Sequence, residues 1–235
     1  MLARVLVVLS LFALFPRPAA GAAAFNSPEE FHNWITYYYV EPTPERVDEA
    51  VRFMDKEGLL AKPTAVQPLV SFLGHIFRKN PDRIGPWVEE FDYLPEGRKV
   101  IWQAAWFSGT PEGQKALKEA EPRLAEEDRK YLEALTLLPA PDLLTLPIDA
   151  PVVLDMLWAG FQATGDEAYV FRVIGALASP AEEKEDLDQA IVREAARWSL
   201  ASVARQHPKV MQICRRALPK QPEDVRKVLE EVIKQ

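Results

Sequence analysis

The sequence has very few of the residues that build most catalytic and metal centres. It contains one cysteine and three histidines in 235 residues. Neither Cys214 nor any of His32, His75 and His207 has a second histidine or cysteine three or four positions away, the spacing that places two ligands on one helix face. A single cysteine also forms no intramolecular disulfide. We therefore expect no metal site, no cofactor and a fold stabilised by burial of its core.

Other chemical signatures are missing as well. There is no glycine-rich phosphate loop and no nucleophile motif of the G-x-S-x-G or S-x-x-K type. Cys214 is spaced from Val210 and Leu218 as one face of an amphipathic helix, which indicates a buried thiol. His75 lies in an apolar helical stretch and is expected to form a hydrogen bond in the core, whereas His32 is expected on the surface.

The chain is acidic, with 28 basic and 35 acidic residues and a net charge of −7. Residues 1–24 contain two arginines and no acid, so the remainder has 26 basic and 35 acidic residues and a net charge of −9. Nucleic-acid binding needs a basic surface, and attachment to anionic lipid needs clustered lysine and arginine. We therefore expect no nucleic-acid partner.

Residues 1–24 have the three parts of a secretory signal peptide. A short basic start precedes an apolar run at 5–15, and small residues follow at 19–24. A run of eleven residues is too short to cross a bilayer, which takes about 20 apolar residues. We predict cleavage after Ala24, no membrane span in the remainder, and a bacterial protein that is periplasmic or secreted. The alternative is an N-terminal anchor helix that is not cleaved.

Proline next to a capping residue marks the starts of most predicted helices. This pairing is typical of helix N-termini, and Asp166 after Gly165 gives a further start without proline. Apolar residues follow each start at intervals of three and four, and no stretch alternates as a strand does. The pattern predicts an all-α array of about eleven or twelve short antiparallel helices. The proline starts are Ser27-Pro28, Thr43-Pro44, Asn80-Pro81, Leu94-Pro95, Thr110-Pro111, Ala150-Pro151, His207-Pro208 and Gln221-Pro222.

The distribution of prolines also suggests how the chain is divided. After the signal peptide we predict an N-terminal helical region at 25–138, a proline-rich connection at 139–151 and a C-terminal helical region at 152–235. The two helical regions are either separate or parts of one continuous domain. A second loop, acidic and solvated, is predicted at 179–186.

Two segments of the chain resemble each other. Residues 73–101 align without gaps on residues 200–228, and both read as a helix followed by two proline-started helices. A true repeat predicts an α-solenoid or two related helical halves. The alternative is that any two helical hairpins with proline starts coincide this well.

Two sets of acidic residues are candidates for catalysis. Paired carboxylates cleave glycans when apolar surroundings raise the pKa of one of them. Glu89 and Glu90 lie between aromatic residues, but such a pair is more typical of a solvated helix face. Asp155 lies in the most apolar helix, where an unpaired carboxylate is costly. We expect it to face solvent or, preferably, to form an ion pair with Arg172.

Aromatic residues give the best candidate for a binding site. Trp34, Tyr37, Tyr38 and Tyr39 crowd one predicted helix, and tryptophan and tyrosine dominate binding hot spots. Neighbours on a helix diverge by about 100°, so Tyr37 or Tyr39 is expected to be exposed if Trp34 and Tyr38 face the core. We predict that these four residues bind a partner; the alternative is core packing.

Together these features favour a binding protein over an enzyme. The sequence predicts an exported helical binding or scaffolding protein of the bacterial envelope, with a protein or peptide partner. Two alternatives stay open: a carboxylate-dependent envelope hydrolase acting on glycan or peptide, and a chaperone-like accessory subunit of a transport or secretion system.

Overall fold

The computed structural model describes residues 25–178 and 187–234. The predicted signal peptide and the predicted acidic loop at 179–186 lie outside the described residues. Within them the chain forms twelve α-helices and no strand, which confirms the predicted all-α array. None of these helices is both long and apolar enough to span a membrane. The helices are α1 (Pro28–Tyr37), α2 (Val47–Lys56), α3 (Pro63–Lys79), α4 (Ile84–Glu90), α5 (Pro95–Phe107), α6 (Pro111–Ala120), α7 (Glu126–Thr136), α8 (Pro151–Thr164), α9 (Glu167–Gly175), α10 (Leu187–Gln206), α11 (Pro208–Ala217) and α12 (Glu223–Lys234).

Proline begins many of these helices, as the sequence predicts. It is the first residue of α1, α5, α6, α8 and α11, where a backbone N–H would have no acceptor within the helix. Pro63 also begins α3, although it was not among the predicted starts. Pro44 and Pro81 instead begin single 3-10 turns that lead into α2 and α4. Three of the predicted capping residues accept a backbone hydrogen bond. These are Ser27 from the N–H of Glu30 (3.2 Å), Thr110 from that of Gly113 (3.0 Å) and Asp166 from that of Ala168 (2.9 Å).

Helix α3 is the most deeply buried element. Its residues 69–77 are all buried, so the helix has no solvent face along this stretch. Helices α5 and α8 make the most extensive contacts with it. Since α5 belongs to the predicted N-terminal region and α8 to the C-terminal one, a single continuous core joins residues on both sides of the proline-rich connection.

Two glycines allow the helices to approach α3 closely. A Cβ atom at Gly74 would lie 2.5 Å from Cδ1 of Phe107 in α5. A Cβ atom at Gly160 in α8 would lie 3.1 Å from Nε2 of His75 and equally close to the ring of Tyr169. Both distances are shorter than ordinary van der Waals contact. A Cβ atom at position 74 would force Phe107 to move, and one at position 160 would need its neighbours to shift by a few tenths of an ångström.

The buried polar side chains of α3 have partners on neighbouring helices. Ser71 donates a hydrogen bond to the carbonyl oxygen of Met156 in α8 (2.9 Å). The ring nitrogen Nε2 of His75 lies 3.2 Å from the hydroxyl of Tyr169 in α9, which confirms the predicted hydrogen bond in the core. Burial, together with the positive charge of Arg78, lowers the pKa of His75 to about 4.

The two similar segments contain the same order of elements. Residues 73–101 run from the second half of α3 through α4 into α5, and residues 200–228 run from the end of α10 through α11 into α12. Each therefore passes from a long helix into two further helices. A common structural origin of the two segments stays a prediction.

The close approach at Gly74 leads to a packing prediction. We expect Gly74→Ala to lower the free energy of unfolding by about 1 to 3 kcal/mol, because the new methyl group must displace the fully buried ring of Phe107. Gly85→Ala in α4 is the matched control. No atom lies within 4 Å of the added Cβ there, so this variant should be neutral or more stable by up to about 1 kcal/mol. Urea unfolding measures both, and equal effects would contradict the packing account.

The buried His75 leads to a prediction about pH. Its pKa is about 4 in the folded chain and about 6.5 when unfolded, so the unfolded chain binds more protons between these values. Stability is therefore lost as the pH falls from 6.5 to 4, by up to about 3 kcal/mol. We expect His75→Gln to lose less stability than the parent over this interval, as measured by urea unfolding at each pH. An identical pH dependence in the two proteins would disprove this.

Candidate functional site

The predicted aromatic site does not form one helix face, because α1 ends at Tyr37. The chain then turns, and the backbone N–H of Tyr39 donates to the carbonyl oxygen of Gln162 in α8 (3.0 Å). The Tyr39 ring packs on Phe161 at 5.3 Å between centroids and stacks on His207 at 5.6 Å. Tyr39 therefore lies beyond the helix, where helical spacing does not apply, and it is half-buried.

The other three aromatic residues differ in their exposure. Tyr38 is 4 % exposed and lies in the core, so its surface is not accessible to a partner. Trp34 is half-buried and donates from its indole N–H to the hydroxyl of Thr43 (2.8 Å). Tyr37 is 39 % exposed, as expected for one of the two tyrosines, but its hydroxyl donates to the carbonyl oxygen of Gln206 (2.9 Å). A partner-binding role stays a prediction for Tyr37.

This aromatic cluster joins the two ends of the described chain. His207 is 2 % exposed at the start of α11, and its ring contacts Tyr37, Tyr39 and Phe161. Lys209 adds a bond from its ammonium group to the carbonyl oxygen of Gly165, which caps α8 with φ of 68° (2.7 Å). These contacts hold α1, α8 and α11 together, so most of the cluster has a structural role.

The candidate carboxylates do not form a catalytic pair. Glu90 forms a surface ion pair with Arg52, and an oxygen of Glu89 lies 3.7 Å from a guanidinium nitrogen of Arg123. Asp155 is exposed to solvent, which is one of the two positions expected for it, whereas the preferred ion pair with Arg172 is wrong. Arg172 donates instead to the carbonyl oxygen of Leu146, in the segment before α8.

The positions of the remaining candidate residues, Cys214 and His32, do not indicate catalysis. Cys214 is fully buried, and burial raises the pKa of its thiol to about 11, so it is not a nucleophile at neutral pH. His32 is exposed, as expected. No cluster of three or more histidine, cysteine, aspartate or glutamate side chains suited to a metal ion occurs within residues 25–178 and 187–234.

A groove that the sequence did not indicate lies between α1, α3 and α8. Its volume is about 360 Å³, and most of its lining is apolar. Asp155 is the one charged residue among those that line it. The lining residues are Ile35 of α1, Thr64, Ala65, Pro68, Leu69 and Phe72 of α3, and Asp155, Trp158, Ala159 and Gln162 of α8.

The three walls of this groove are fixed to one another. The hydrogen bond from Ser71 to Met156 joins α3 to α8, and the bond from Tyr39 to Gln162 joins the end of α1 to α8. The ring of Phe72 meets Trp34 of α1 at 5.5 Å. The groove is therefore held open by the fold itself and does not depend on a ligand for its shape.

Polar groups with unused hydrogen-bonding capacity surround the apolar floor. Asp155 has neither an ion pair nor a hydrogen bond in the described chain, and desolvation raises the pKa of its carboxyl group above the ordinary range. In a helix, the carbonyl oxygen of Thr64 would accept a hydrogen bond from the backbone N–H of residue 68. Residue 68 is proline and has no N–H, so this carbonyl oxygen lacks its helical donor. The indole N–H of Trp158 is buried and has no partner in the described part of the chain.

Two sequence features point to this groove in retrospect. Asp155 is a carboxylate within an otherwise apolar helix, and Pro68 lies inside a helix where proline costs a hydrogen bond. Each is unusual by itself, but they are 87 positions apart in the chain. Only the packing of α3 on α8 brings them to the same surface.

Comparison with known proteins gives no relative for this chain. No protein-family profile matches it, and neither a curated protein nor a solved structure shows significant similarity to it. The function must therefore be inferred from the groove and from the rest of the surface.

Proposed function

We propose that this chain is an exported binding protein of the bacterial envelope whose groove between α1, α3 and α8 binds a peptide segment with a basic and an apolar side chain. One observation supports this most strongly. The lining of the groove is mostly apolar, and its single charged residue is Asp155, an exposed carboxylate whose pKa is raised by desolvation and which has no partner in the described chain.

The polar groups of the groove favour a donor-rich ligand. The Asp155 carboxylate and the Thr64 carbonyl both accept hydrogen bonds and donate none. An ammonium or guanidinium group would supply donors to both and would stabilise the charged form of Asp155, whose pKa is raised in the free protein. The acidic net charge of the chain would also attract such a ligand from solution.

The size and floor of the groove favour an apolar side chain beside that cation. Its volume of about 360 Å³ is at the small end of the range for ligand pockets, about 300 to 1,000 Å³. Leu69, Phe72 and Trp158 are buried in its floor and walls. A fixed groove of this kind binds without the entropic cost of ordering its own walls.

The proposed export rests on the sequence of residues 1–24, and the position of Phe25 is compatible with it. Phe25 is 5 % exposed and packs against Phe31 at 5.3 Å, with the guanidinium of Arg46 4.0 Å above its ring. Cleavage after Ala24 would leave this contact intact and make Phe25 the first residue of the mature chain.

The two other functions receive less support. A glycan hydrolase needs two carboxylates about 5 to 10 Å apart, whereas Asp155 has no acidic neighbour in the groove lining. An accessory role in a transport or secretion system would also use a peptide-binding groove, so it is a special case of the proposed function.

The groove leads to a binding prediction. We expect a fluorescein-labelled octapeptide of alternating phenylalanine and lysine to bind, as measured by fluorescence anisotropy. Asp155→Asn should weaken this binding about tenfold, the usual effect of losing one charge-assisted hydrogen bond. Ala65→Phe should weaken it by filling the groove from its half-buried wall. Asp55→Asn, an exposed aspartate of α2, is the matched control and should have no effect.

Two peptide controls separate the groove from general attraction to an acidic protein. A serine–lysine octapeptide keeps the charge and removes the apolar side chains, and a phenylalanine–glutamate octapeptide reverses the charge. Both should bind less tightly than the phenylalanine–lysine peptide. Equal affinity of the serine–lysine peptide, or equal affinity of Asp155→Asn and the parent, would refute the proposed site.

The proposed export leads to a separate prediction. When the full chain is expressed in a bacterium, the protein recovered from the envelope fraction should begin at or near Phe25, because the apolar run at 5–15 is too short for an anchor. N-terminal sequencing determines this directly. Recovery of an intact Met1 in the envelope fraction would favour the uncleaved anchor instead.

A further inference from the structure

A second cleft lies on the side of α1 that faces away from the groove. Asn33 and Tyr37 line it and are four residues apart on α1, so they share one side of the helix. Ile35, which lines the groove, is two residues from each of them and therefore about 200° away around the helix axis. The volume of this second cleft is about 370 Å³. We call it the aromatic cleft, because Trp34 and Tyr37 border it.

The aromatic cleft contains most of the residues that the sequence predicts to bind a partner. Trp34, Tyr37 and Tyr38 line it, whereas Tyr39 does not. Tyr38 is almost fully covered, but Tyr37 is 39 % exposed and Val40, also in the lining, is 65 % exposed. Tyr37 and Val40 therefore give the cleft an apolar surface that a ligand can reach.

The two accessible aromatic residues already use their own hydrogen-bond donors. The indole N–H of Trp34 donates to the hydroxyl of Thr43 (2.8 Å), and the hydroxyl of Tyr37 donates to the carbonyl oxygen of Gln206 (2.9 Å). A proline-rich peptide, the usual ligand of aromatic grooves, would find neither donor available for its carbonyl oxygens. Its prolines would also have no N–H for the carboxylate of Glu41 in the lining. The cleft is poorly matched to such a peptide.

The other polar groups of the cleft offer both donors and acceptors. Asn33 and Glu41 are exposed, and neither side chain has a hydrogen bond or an ion pair in the described chain. The hydroxyl of Thr43 accepts from Trp34 and has no acceptor for its own proton within residues 25–178 and 187–234. An amide and a hydroxyl can donate, and an amide oxygen and a carboxylate can accept. A ligand that satisfies all three groups must therefore donate and accept as well.

The charges of the lining favour a ligand without net charge. One side chain of each sign lines the cleft, the carboxylate of Glu41 and the guanidinium of Arg46. Arg46 is held in place by ion pairs with Glu30 (2.9 Å) and Glu49 (3.0 Å). Because the two signs are balanced in the lining, neither a cation nor an anion gains a general electrostatic advantage there.

We propose that the aromatic cleft binds a neutral oligosaccharide. The hydroxyl groups around a sugar ring both donate and accept hydrogen bonds, and the C–H groups on its face form an apolar patch that packs on an aromatic ring. The face of the sugar would lie on Tyr37 and Val40. Its hydroxyl groups would bind Asn33, Glu41 and Thr43. This site is separate from the peptide groove and does not depend on it.

Isothermal titration calorimetry with three neutral disaccharides tests this site in the full chain. We expect at least one of N,N′-diacetylchitobiose, cellobiose and maltose to bind with a millimolar or lower dissociation constant. Asn33→Ala and Glu41→Ala should each weaken this binding about tenfold, because each removes hydrogen bonds to the sugar. Tyr37→Ala should weaken it by a similar factor, whereas Tyr37→Phe keeps the ring and should bind as the parent does. Glu57→Ala, at an exposed glutamate just after α2, is the matched control and should have no effect.

Thermal unfolding of each variant checks that the fold is intact. Asn33 and Glu41 are exposed and without partners in the described chain, so their variants test the site even if Tyr37→Ala unfolds. Asp155→Asn should leave sugar binding unchanged, so a failure of the groove is distinguishable from a failure of the cleft.

Three outcomes would overturn the proposal. The first is that none of the disaccharides binds at millimolar concentration, or that Asn33→Ala and Glu41→Ala bind as tightly as the parent. The second is that chitobiose, with two amino groups in place of the acetamides, binds more tightly than N,N′-diacetylchitobiose, because attraction to the charge of Glu41 would then explain the binding. The third is that decaproline binds in a manner that depends on Tyr37 while the sugars do not.

Discussion

The burial of α3 on all sides is the constraint on which the rest of the structure depends. Nine consecutive residues, 69–77, have no solvent face, so the neighbouring helices must supply close packing and hydrogen-bond partners in every direction. Glycines 74 and 160 provide the close packing, and Met156 and Tyr169 provide the partners. Because these groups come from both halves of the sequence, the halves pack as one body across the proline-rich connection.

The proposed groove follows from where this burial begins. The first turns of α3, up to Pro68, are exposed or half-buried, whereas burial is complete from Leu69 onward. Where a helix passes from solvent into a core, a recess forms beside its last exposed turn. The helices that pack on its buried turns form the walls of this recess. Here those helices are α1 and α8, and Asp155 of α8 lies at the recess. The same packing that stabilises the core therefore forms the groove.

The sequence predicted local features well and contacts between distant segments poorly. Proline next to a capping residue located the starts of most helices, because the missing N–H and the capping oxygen act within one turn. The end of α1 gave no comparable signal, so the sequence left open which of Tyr37 and Tyr39 is exposed. The pairing of Asp155 with Arg172 failed for a similar reason, since the direction of a long side chain depends on tertiary packing. The groove combines α1, α3 and α8, and no periodicity within one helix reveals it.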